Sequence, residues 1–341
     1  KGKDNDLPPI AIGSHIDSVP EGGSYDGNVG SLAAIEVAHT ISENDLALNH
    51  PLIVVIFQNE EGGLFGSKVM TTGLTDQELG LMSSSGYTIK EGIKRIGGNL
   101  KKLEDAKLKK NEWAAYVELH IEQGAFLYDE NLEIGIVEGI VGIKQWEVTV
   151  DGFANHAGTT PMDKRNDALY AASLYVQSVH EIGKKTPGNQ VATVGMIKPF
   201  PGAPNVIPGK VSASLEIRDL NEKKIDSIYK KIKRSTEKIA KKTGTTFQFK
   251  QTINIVPEPT NDIISKAIFE ASNDLKLKSK FMPSGAGHDA QEMAQICPIG
   301  MIFIPSKNGI SHSPKEYSTA NEISNGANVL LHTVLKIDQR P

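Results

Sequence analysis

Three short apolar segments of this chain each run directly into polar, glycine-rich residues. They occupy residues 8–19, 52–63 and 112–124 and read PPIAIGSHIDSV, LIVVIFQNEEGG and EWAAYVELHIEQG. A short, β-branched apolar run bounded by turn residues is typical of a strand buried in a parallel sheet. Ligands of open α/β sheets bind at the carboxyl ends of such strands. The pattern therefore predicts an α/β sheet whose polar strand ends converge on one site.

The middle of the chain differs from the two ends in the spacing of its apolar residues. Its alternating and helical segments follow the order β-α-β-β-α-β, which is the ferredoxin-like pattern. The strands are predicted at 144–152, 189–200, 209–220 and 245–256, and the helices at 165–185 and 221–244. Helix and buried-strand patterns resume afterwards. The sequence therefore predicts an α/β catalytic domain in two parts, 1–143 and 257–341, with an inserted α+β domain at 144–256.

Composition excludes several functional classes. With 37 basic and 41 acidic residues the net charge is -4, which does not favour nucleic acid or an anionic membrane surface as a partner. The lysine-rich stretch 221–242 is interpreted as a solvated helix face, and the longest apolar runs are too short to span a bilayer. The single cysteine, Cys297, fits a reducing compartment and predicts a cytoplasmic location. Residue 1 is Lys, not Met, which leaves open a targeting segment before it.

The loop 13–27, GSHIDSVPEGGSYDG, carries the first candidate metal ligands. His15 and Asp17 are two residues apart at a strand end, so their side chains can point the same way. Asp26 follows after two glycines that let the loop fold back. Imidazole and a bridging carboxylate suit a two-metal site. Asp17 would then orient the His15 ring through its other nitrogen. Taken alone, His15 is more simply interpreted as a hydrogen-bonded loop histidine.

Further candidates follow the other apolar segments. Glu60 and Glu61 are adjacent carboxylates directly after a buried strand, where one could be a metal ligand and its neighbour a general base on the metal-bound water. His120 ends another apolar segment, and His312 lies in the Gly/Ser/Pro loop GISHSPKEY. A solvated loop pair is the simpler interpretation of Glu60 and Glu61. Together, however, these residues make a joint case for a metal site.

Eight motifs occur in an order that resembles a known family. They are GSHIDSVPEGGSYDG, NEEG, ELHIEQG, NHAGTTPM, PNVIP, EIRD, SGAGHDA and GISHSPKEY. The chain resembles the aminoacylase-type di-metal hydrolases over essentially its whole length. Within them it is most similar to the amidase/carbamoylase branch, which includes N-carbamoyl-L-amino-acid hydrolases, β-ureidopropionases and allantoate amidohydrolases. Gly63 and Leu64 stand where many relatives have a small residue and an arginine, which indicates a different substrate preference.

The resemblance implies two divalent metal ions per subunit, zinc or manganese, with cobalt or nickel as further options. It also implies an N-terminal segment of the catalytic domain before residue 1. Glu60 is implied to be the general base, with Asp17 behind His15. The implied ligands are His15, Asp26 and His120 for one ion, and Asp26, Glu61 and His312 for the other, with Asp26 as the bridge.

The resemblance also implies a set of substrate contacts. These are Gln123, His156, Asn205, Arg218 and His288. From the residues alone, Arg218 could clamp a carboxylate or pair with Glu216 or Asp219. His156 could donate to an oxyanion or cap its loop. Asn205 could be a turn residue, and His288 could belong to a helix cap. The inserted domain is implied to be a lid and the homodimer interface.

The leading hypothesis is a metal-dependent amidohydrolase that cleaves the carbamoyl C–N bond of N-carbamoyl-L-amino acids or related ureido acids. Allantoate and β-ureidopropionate are alternative substrates. An aminoacylase or exopeptidase of the same superfamily is a second hypothesis, against which the motif HIEQG argues. A non-catalytic ligand-binding homologue is a third, against which the intact Glu60-Glu61 pair argues.

Overall fold

The computed structural model describes residues 1–339 and divides into two compact units. The first unit consists of Lys1–Ile140 together with the chain from Pro259 onward, and the second of Val141–Glu258. Within residues 1–339, no helix is long and apolar enough to cross a membrane.

Strands and helices are interspersed along the whole described chain. The strands are β1 (Ile10–His15), β2 (Leu52–Phe57), β3 (Ala115–Ile121), β4 (Ile134–Ile140), β5 (Gly142–Asp151), β6 (Asn155–His156), β7 (Val191–Thr193), β8 (Ile197–Phe200), β9 (Val206–Ile207), β10 (Lys210–Asp219), β11 (Thr246–Ile255), β12 (Glu258–Pro259), β13 (Ser279–Ser284) and β14 (Ile299–Ile304). The helices are α1 (Asn28–Glu43), α2 (Phe65–Met70), α3 (Asp76–Leu79), α4 (Ile89–Arg95), α5 (Phe126–Glu130), α6 (Ala168–Lys185), α7 (Glu222–Thr243), α8 (Asp262–Asp274), α9 (Asp289–Met293) and α10 (Ala320–Asp338).

The first unit is built on a seven-stranded, mainly parallel sheet. The strand order is β12-β4-β14-β3-β1-β2, and β13 pairs with β4. β1 lies parallel to both β2 and β3, and β3 lies parallel to β14, whereas β14 and β4 are antiparallel. Every residue of β1, β3 and β14 is buried, as apolar runs in a parallel sheet require. The predicted α/β class with a mainly parallel sheet is confirmed.

Side chains that alternate along the strands enter two different cores. Ile10 and Ile12 of β1 pack in one core with α1, α8 and α10. Ala11 and Tyr116, which point to the opposite face, pack in a second core with Met293 of α9. Helices therefore cover both faces of the sheet, and only its edges and strand ends remain for function. His120 points to the second face, because it alternates with Leu119 and Ile121 of the first core.

The second unit has a five-stranded antiparallel sheet in the order β11-β5-β10-β7, with β8 also paired to β10. α6 and α7 bury their apolar residues against it, including Tyr175, Ile228 and Ile232. The predicted helices and strands are present, with two further short strands, β6 and β9. The strand predicted over 189–200 is interrupted, because it forms the two short strands β7 and β8.

The lysine-rich helix α7 begins after Asn221, whose side chain accepts a hydrogen bond from the Lys224 backbone N–H. It ends at Gly244, which has a φ of 66° in the left-handed region that favours glycine. Ile225, Ile228 and Ile232 face the core, and most of the lysines of the helix are exposed.

Candidate metal centre

The carboxyl ends of β1, β2 and β3 meet at one edge of the first unit's sheet. The parallel register sets His15 of β1 beside Phe57 of β2, so the polar residues that follow the two strands are neighbours. Asp17 fastens these loops together: its Oδ1 accepts a hydrogen bond from the Glu60 backbone N–H at 3.0 Å, and its Oδ2 accepts one from the Glu61 N–H at 3.2 Å. The convergence expected from the sequence is present in the structure.

One cluster of potential metal ligands joins His15, Asp26 and His120. Asp26 Oδ1 lies 3.0 Å from His120 Nε2 and 3.5 Å from His15 Nε2. The two Nε2 atoms are 3.3 Å apart. All three side chains are almost fully buried. Three donor atoms thus face one another across a space that a single cation could occupy.

A second cluster joins Asp26, Glu61 and His312. The other oxygen of Asp26, Oδ2, lies 3.2 Å from His312 Nε2, and Glu61 Oε2 lies 3.5 Å from the same nitrogen. Asp26 therefore presents one oxygen to each cluster, which is the arrangement of a bridging carboxylate. His312 has a φ of 54°, and such strained backbone in a non-glycine residue often occurs at functional sites.

The donor atoms of both clusters fit divalent cations. His15 Nδ1 lies 3.0 Å from the carbonyl oxygen of Asp17, and His120 Nδ1 lies 2.9 Å from that of Ile121. A proton on each Nδ1 leaves the Nε2 lone pairs directed at the cluster, as metal-binding histidines require. Glu61 Oε1 is buried and has no hydrogen-bond partner within residues 1–339. Imidazole and carboxylate donors of this kind suit zinc, manganese and related ions.

The electrostatics of the site also favour a positive charge. Burial alone would lower the pKa of His15, but its hydrogen bond to Asp26 and the charge of Glu60 raise that pKa to about 10. Burial raises the pKa of Glu60 to about 8, although His15 and His120 act in the opposite direction. The carboxylates of this site therefore lie in a setting that attracts cations.

Glu60 and Asp17 lie around the first cluster in different ways. Glu60 Oε2 is 4.0 Å from His15 Nε2, and its side chain is only 9% exposed. Asp17 holds the His15 ring through its backbone carbonyl, whereas its carboxylate binds the two backbone N–H groups after β2. The contact between Asp17 and the His15 ring is thus made at Nδ1 by the backbone carbonyl. The carboxylate, at 3.8 Å from His15 Nδ1, lies beyond hydrogen-bonding distance.

Gln123 and His288, both predicted to bind substrate, contact other residues of the first unit. Gln123 Nε2 donates to Asp26 Oδ2 at 2.7 Å. His288 is 1% exposed, its Nε2 lies 2.8 Å from Ser284 Oγ, and its ring packs edge-on against His120. Burial lowers the pKa of His288. In this structure, therefore, Gln123 hydrogen-bonds to the carboxylate of Asp26, and His288 packs against the ring of His120.

Two glutamates that support the site were not singled out from the sequence. Glu316 Oε1 accepts hydrogen bonds from the backbone N–H groups of Tyr25 and Asp26, and its Oε2 accepts one from Ser311 Oγ. Glu118 accepts hydrogen bonds from Ser14 Oγ at 2.7 Å and from the backbone N–H of Ala290 in α9 at 3.0 Å. Glu118 could have been identified from the sequence, because it precedes His120 by two residues and so lies on the same face of the strand.

The second unit contains the other predicted substrate residues. His156 and Asn205 lie side by side, because β6 pairs with β9 and the Ala157 N–H donates to the carbonyl of Asn205. His156 Nδ1 accepts hydrogen bonds from the backbone N–H groups of Gly158 and Thr159, which leaves the proton of a neutral ring on the exposed Nε2.

Arg218 lies at the far end of β10 from this pair and contacts Glu216 Oε1 through its Nε at 2.7 Å. Eight residues of strand separate it from Lys210, which is about 27 Å at ~3.4 Å per residue. The second unit of one chain thus brings His156 and Asn205 together but not Arg218.

The sequence also matches a family model, the one described as peptidase family M20/M25/M40, over residues 11–336. The chain belongs to this family. It is therefore a hydrolase of carbon–nitrogen bonds. An N-carbamoyl-L-amino acid amidohydrolase from Geobacillus stearothermophilus is 38% identical, over 99% of this chain and 84% of that protein. A ureidoglycolate hydrolase from Arabidopsis thaliana is 36% identical, over 98% of this chain and 73% of that protein.

A solved structure has the same fold. An amidase of the hydantoinase/carbamoylase family from Burkholderia multivorans superposes with a TM-score of 0.92 at 35% identity. The match covers 100% of this chain and 83% of that one.

Proposed function

We propose that this hydrolase cleaves the carbamoyl C–N bond of N-carbamoyl-L-amino acids, releasing the amino acid, ammonia and carbon dioxide. The observation that carries the proposal is the position of Asp26, with one carboxylate oxygen in each of two ligand clusters and the buried Glu60 beside them. The similarity to an N-carbamoyl-L-amino acid amidohydrolase over nearly the whole chain supports the ureido substrate.

In this proposal two divalent ions, zinc or manganese, belong to the two clusters. When bound, they supply a Lewis acid for the substrate carbonyl and lower the pKa of a water molecule. His15, Asp26 and His120 would hold one ion, and Asp26, Glu61 and His312 would hold the other.

Glu60 performs the proton transfers. Its carboxylate takes a proton from the attacking water and gives it to the leaving amine as the C–N bond breaks. The side chain is suited to this role because it is nearly buried and within 4.0 Å of the first cluster. Asp17 fixes the backbone of Glu60 and Glu61, so the base and the ligand keep their relative positions.

Three of the proposed substrate contacts belong to the second unit. The Nε2–H of His156 donates to the oxyanion of the tetrahedral intermediate, and the Asn205 amide hydrogen-bonds to the substrate. Arg218 pairs with the substrate carboxylate. Because Arg218 lies about 27 Å along β10 from Lys210, at the opposite end of the strand from this pair, we propose a homodimer through the second unit in which the partner subunit's Arg218 completes the site.

A panel of substrates tests this function. The metal-loaded protein is expected to release ammonia from N-carbamoyl-L-amino acids faster than it releases acetate from the matching N-acetyl-L-amino acids. Allantoate, β-ureidopropionate and ureidoglycolate serve as the other ureido substrates. Preferential cleavage of the N-acetyl series would identify an aminoacylase instead, and cleavage of dipeptides an exopeptidase.

The role of Glu60 is tested by Glu60→Gln, which keeps the shape of the side chain but removes the base. Turnover is expected to fall by about 10²–10⁴-fold, the usual contribution of general acid–base catalysis. Metal content should stay unchanged, as measured by mass spectrometry of the metals. Glu43→Gln, on the exposed end of α1, is the matched control. Near wild-type turnover in Glu60→Gln would remove Glu60 from the mechanism.

A further inference from the structure

A cavity of about 440 Å³ lies beside the candidate metal centre, within the first unit. Its wall begins at Asp17 and Glu61 and continues through the loop that follows β2. Glu61 is shared: its Oε2 faces His312 in the second ligand cluster, while the residue also lines the cavity. The cavity thus shares Glu61 with the second ligand cluster, and its volume is typical of a small-molecule site.

The lining of this cavity selects against charge. Seven large apolar side chains line it, among them Phe65 of α2 and Ile89 and Ile93 of α4. Among the described residues, its only ionisable groups are the acids Asp17 and Glu61, without any lysine, arginine or histidine. An anionic group would find no lysine, arginine or histidine in this lining to pair with. The carboxylate of a substrate therefore belongs elsewhere, and an uncharged group fits here.

We infer that this cavity binds the side chain of the substrate and makes the enzyme specific for N-carbamoyl amino acids with large aliphatic or aromatic side chains. The inference deepens the proposed function and rests on it. The hydroxyls of Ser83, Ser84, Ser85 and Thr88 at the cavity add neutral hydrogen-bonding groups, so they do not alter the preference against charge.

Gly92 offers a way to fill the cavity. It lies within α4 and lines the cavity, and a Cβ atom built on it would meet no atom within 4 Å. Gly92→Leu is therefore expected to place its isobutyl group in this space. Leucine is also a better helix former than glycine, so the variant is expected to fold. Lys94→Leu, on the same helix but exposed and outside the cavity lining, is the matched control.

The experiment measures kcat/KM for N-carbamoyl derivatives of L-leucine, L-phenylalanine, glycine and L-aspartate, with the N-acetyl derivatives run in parallel. Wild type should prefer the leucine derivative over the glycine derivative by about tenfold or more, since one methylene in an apolar pocket is worth about 10–200-fold. The aspartate derivative should be the poorest. Gly92→Leu should reduce the leucine-to-glycine ratio about tenfold, and Lys94→Leu should leave it unchanged.

The outcomes separate the two proposals. The ratio between leucine and glycine derivatives tests the cavity in whichever acyl series is cleaved, whereas the ratio between carbamoyl and acetyl series tests the proposed function. Calorimetric binding of N-carbamoyl-L-leucine and N-carbamoylglycine to Glu60→Gln, with and without Gly92→Leu, gives the same comparison without turnover. Equal efficiency with leucine and glycine derivatives in wild type, or an unchanged ratio in a Gly92→Leu variant that melts like wild type, would overturn the inference.

Discussion

Glu316 explains at the level of one residue why two distant loops meet at the candidate metal centre. Its carboxylate binds the backbone of Tyr25 and Asp26 with one oxygen and Ser311 with the other. Ser311 Oγ in turn lies 3.1 Å from Asp26 Oδ2. The loop that carries the bridging carboxylate and the loop that carries His312 are therefore held by one buried acid. Such supporting hydrogen bonds tune a metal site as much as its ligands do.

Replacing this acid should weaken metal binding. Glu316→Ala leaves the N–H groups of Tyr25 and Asp26 without their acceptor, and each lost partner costs about 1–3 kcal/mol. We expect the affinity for divalent metal to fall about 10–100-fold, measured by competition with a chelator. Lys315→Ala, at the exposed neighbouring position, should retain wild-type affinity. Wild-type affinity in Glu316→Ala would show that the two loops do not depend on this side chain.

The candidate ligands could be predicted from the sequence because each follows an apolar strand or occupies a glycine-rich loop. Their grouping came from the family resemblance, since residue order does not tell which oxygen of Asp26 faces which histidine. Glu316 could not be predicted from the sequence, for a different reason. Besides Ser311, its partners are backbone N–H groups 290 and 291 residues away, and a backbone donor carries no side-chain signal.

At the scale of elements, the turn from β1 into α1 sets the position of His15. Gly27 precedes α1 and has a φ of 65°. A Cβ atom on this residue would lie 2.4 Å from the His15 ring. The glycine is thus required both by the left-handed backbone and by the close approach of the imidazole.

Gly27→Ala should disturb both properties. The left-handed conformation costs an L-residue roughly 1–2 kcal/mol, and the methyl group must displace the His15 ring. We expect a lower free energy of unfolding in urea together with weaker metal binding. Gly80→Ala is the control, because Gly80 has a φ of -85° and its Cβ would make only ordinary contacts. Equal stability and metal affinity in the two variants would contradict this account of the turn.

The order and type of the elements were predicted better than their continuity. A parallel sheet followed from the buried apolar runs, and the second unit's order followed from its alternation. The break between β7 and β8 was not visible, because the Gly195 and Met196 N–H groups donate to the side chain of Ser214. The hydroxyl of Ser214 takes the place of a backbone acceptor in the sheet there. A hydrophobicity pattern does not show such a change of hydrogen-bond partner.

At the scale of the whole molecule, the second unit begins at residue 141 and ends at residue 258. The roles of the two units are proposals. The separation of Arg218 from His156 and Asn205 could not be deduced from the sequence, which gives no distance along a strand until pairing is known. It is also the reason for expecting that a complete site takes residues from two chains.

A complementation experiment tests that expectation. Glu60→Gln and Arg218→Ala should each have little activity, for different reasons. After mixed dimers form from the two variants, one site of each dimer would combine an intact Glu60 with the partner subunit's intact Arg218. We expect a measurable fraction of wild-type turnover to return. No recovery in mixtures shown to contain hybrid dimers would place Arg218 outside the partner's site.

The most direct test of the central claim is the number of metal ions bound per chain. Wild type and Asp26→Ala would be saturated with zinc or manganese, passed through a desalting column and analysed by mass spectrometry of the metals. Because Asp26 gives one oxygen to each cluster, we predict two ions per chain in wild type and fewer than one in Asp26→Ala. At most one ion in saturated wild type, or two ions retained by Asp26→Ala, would contradict a bridged two-metal centre.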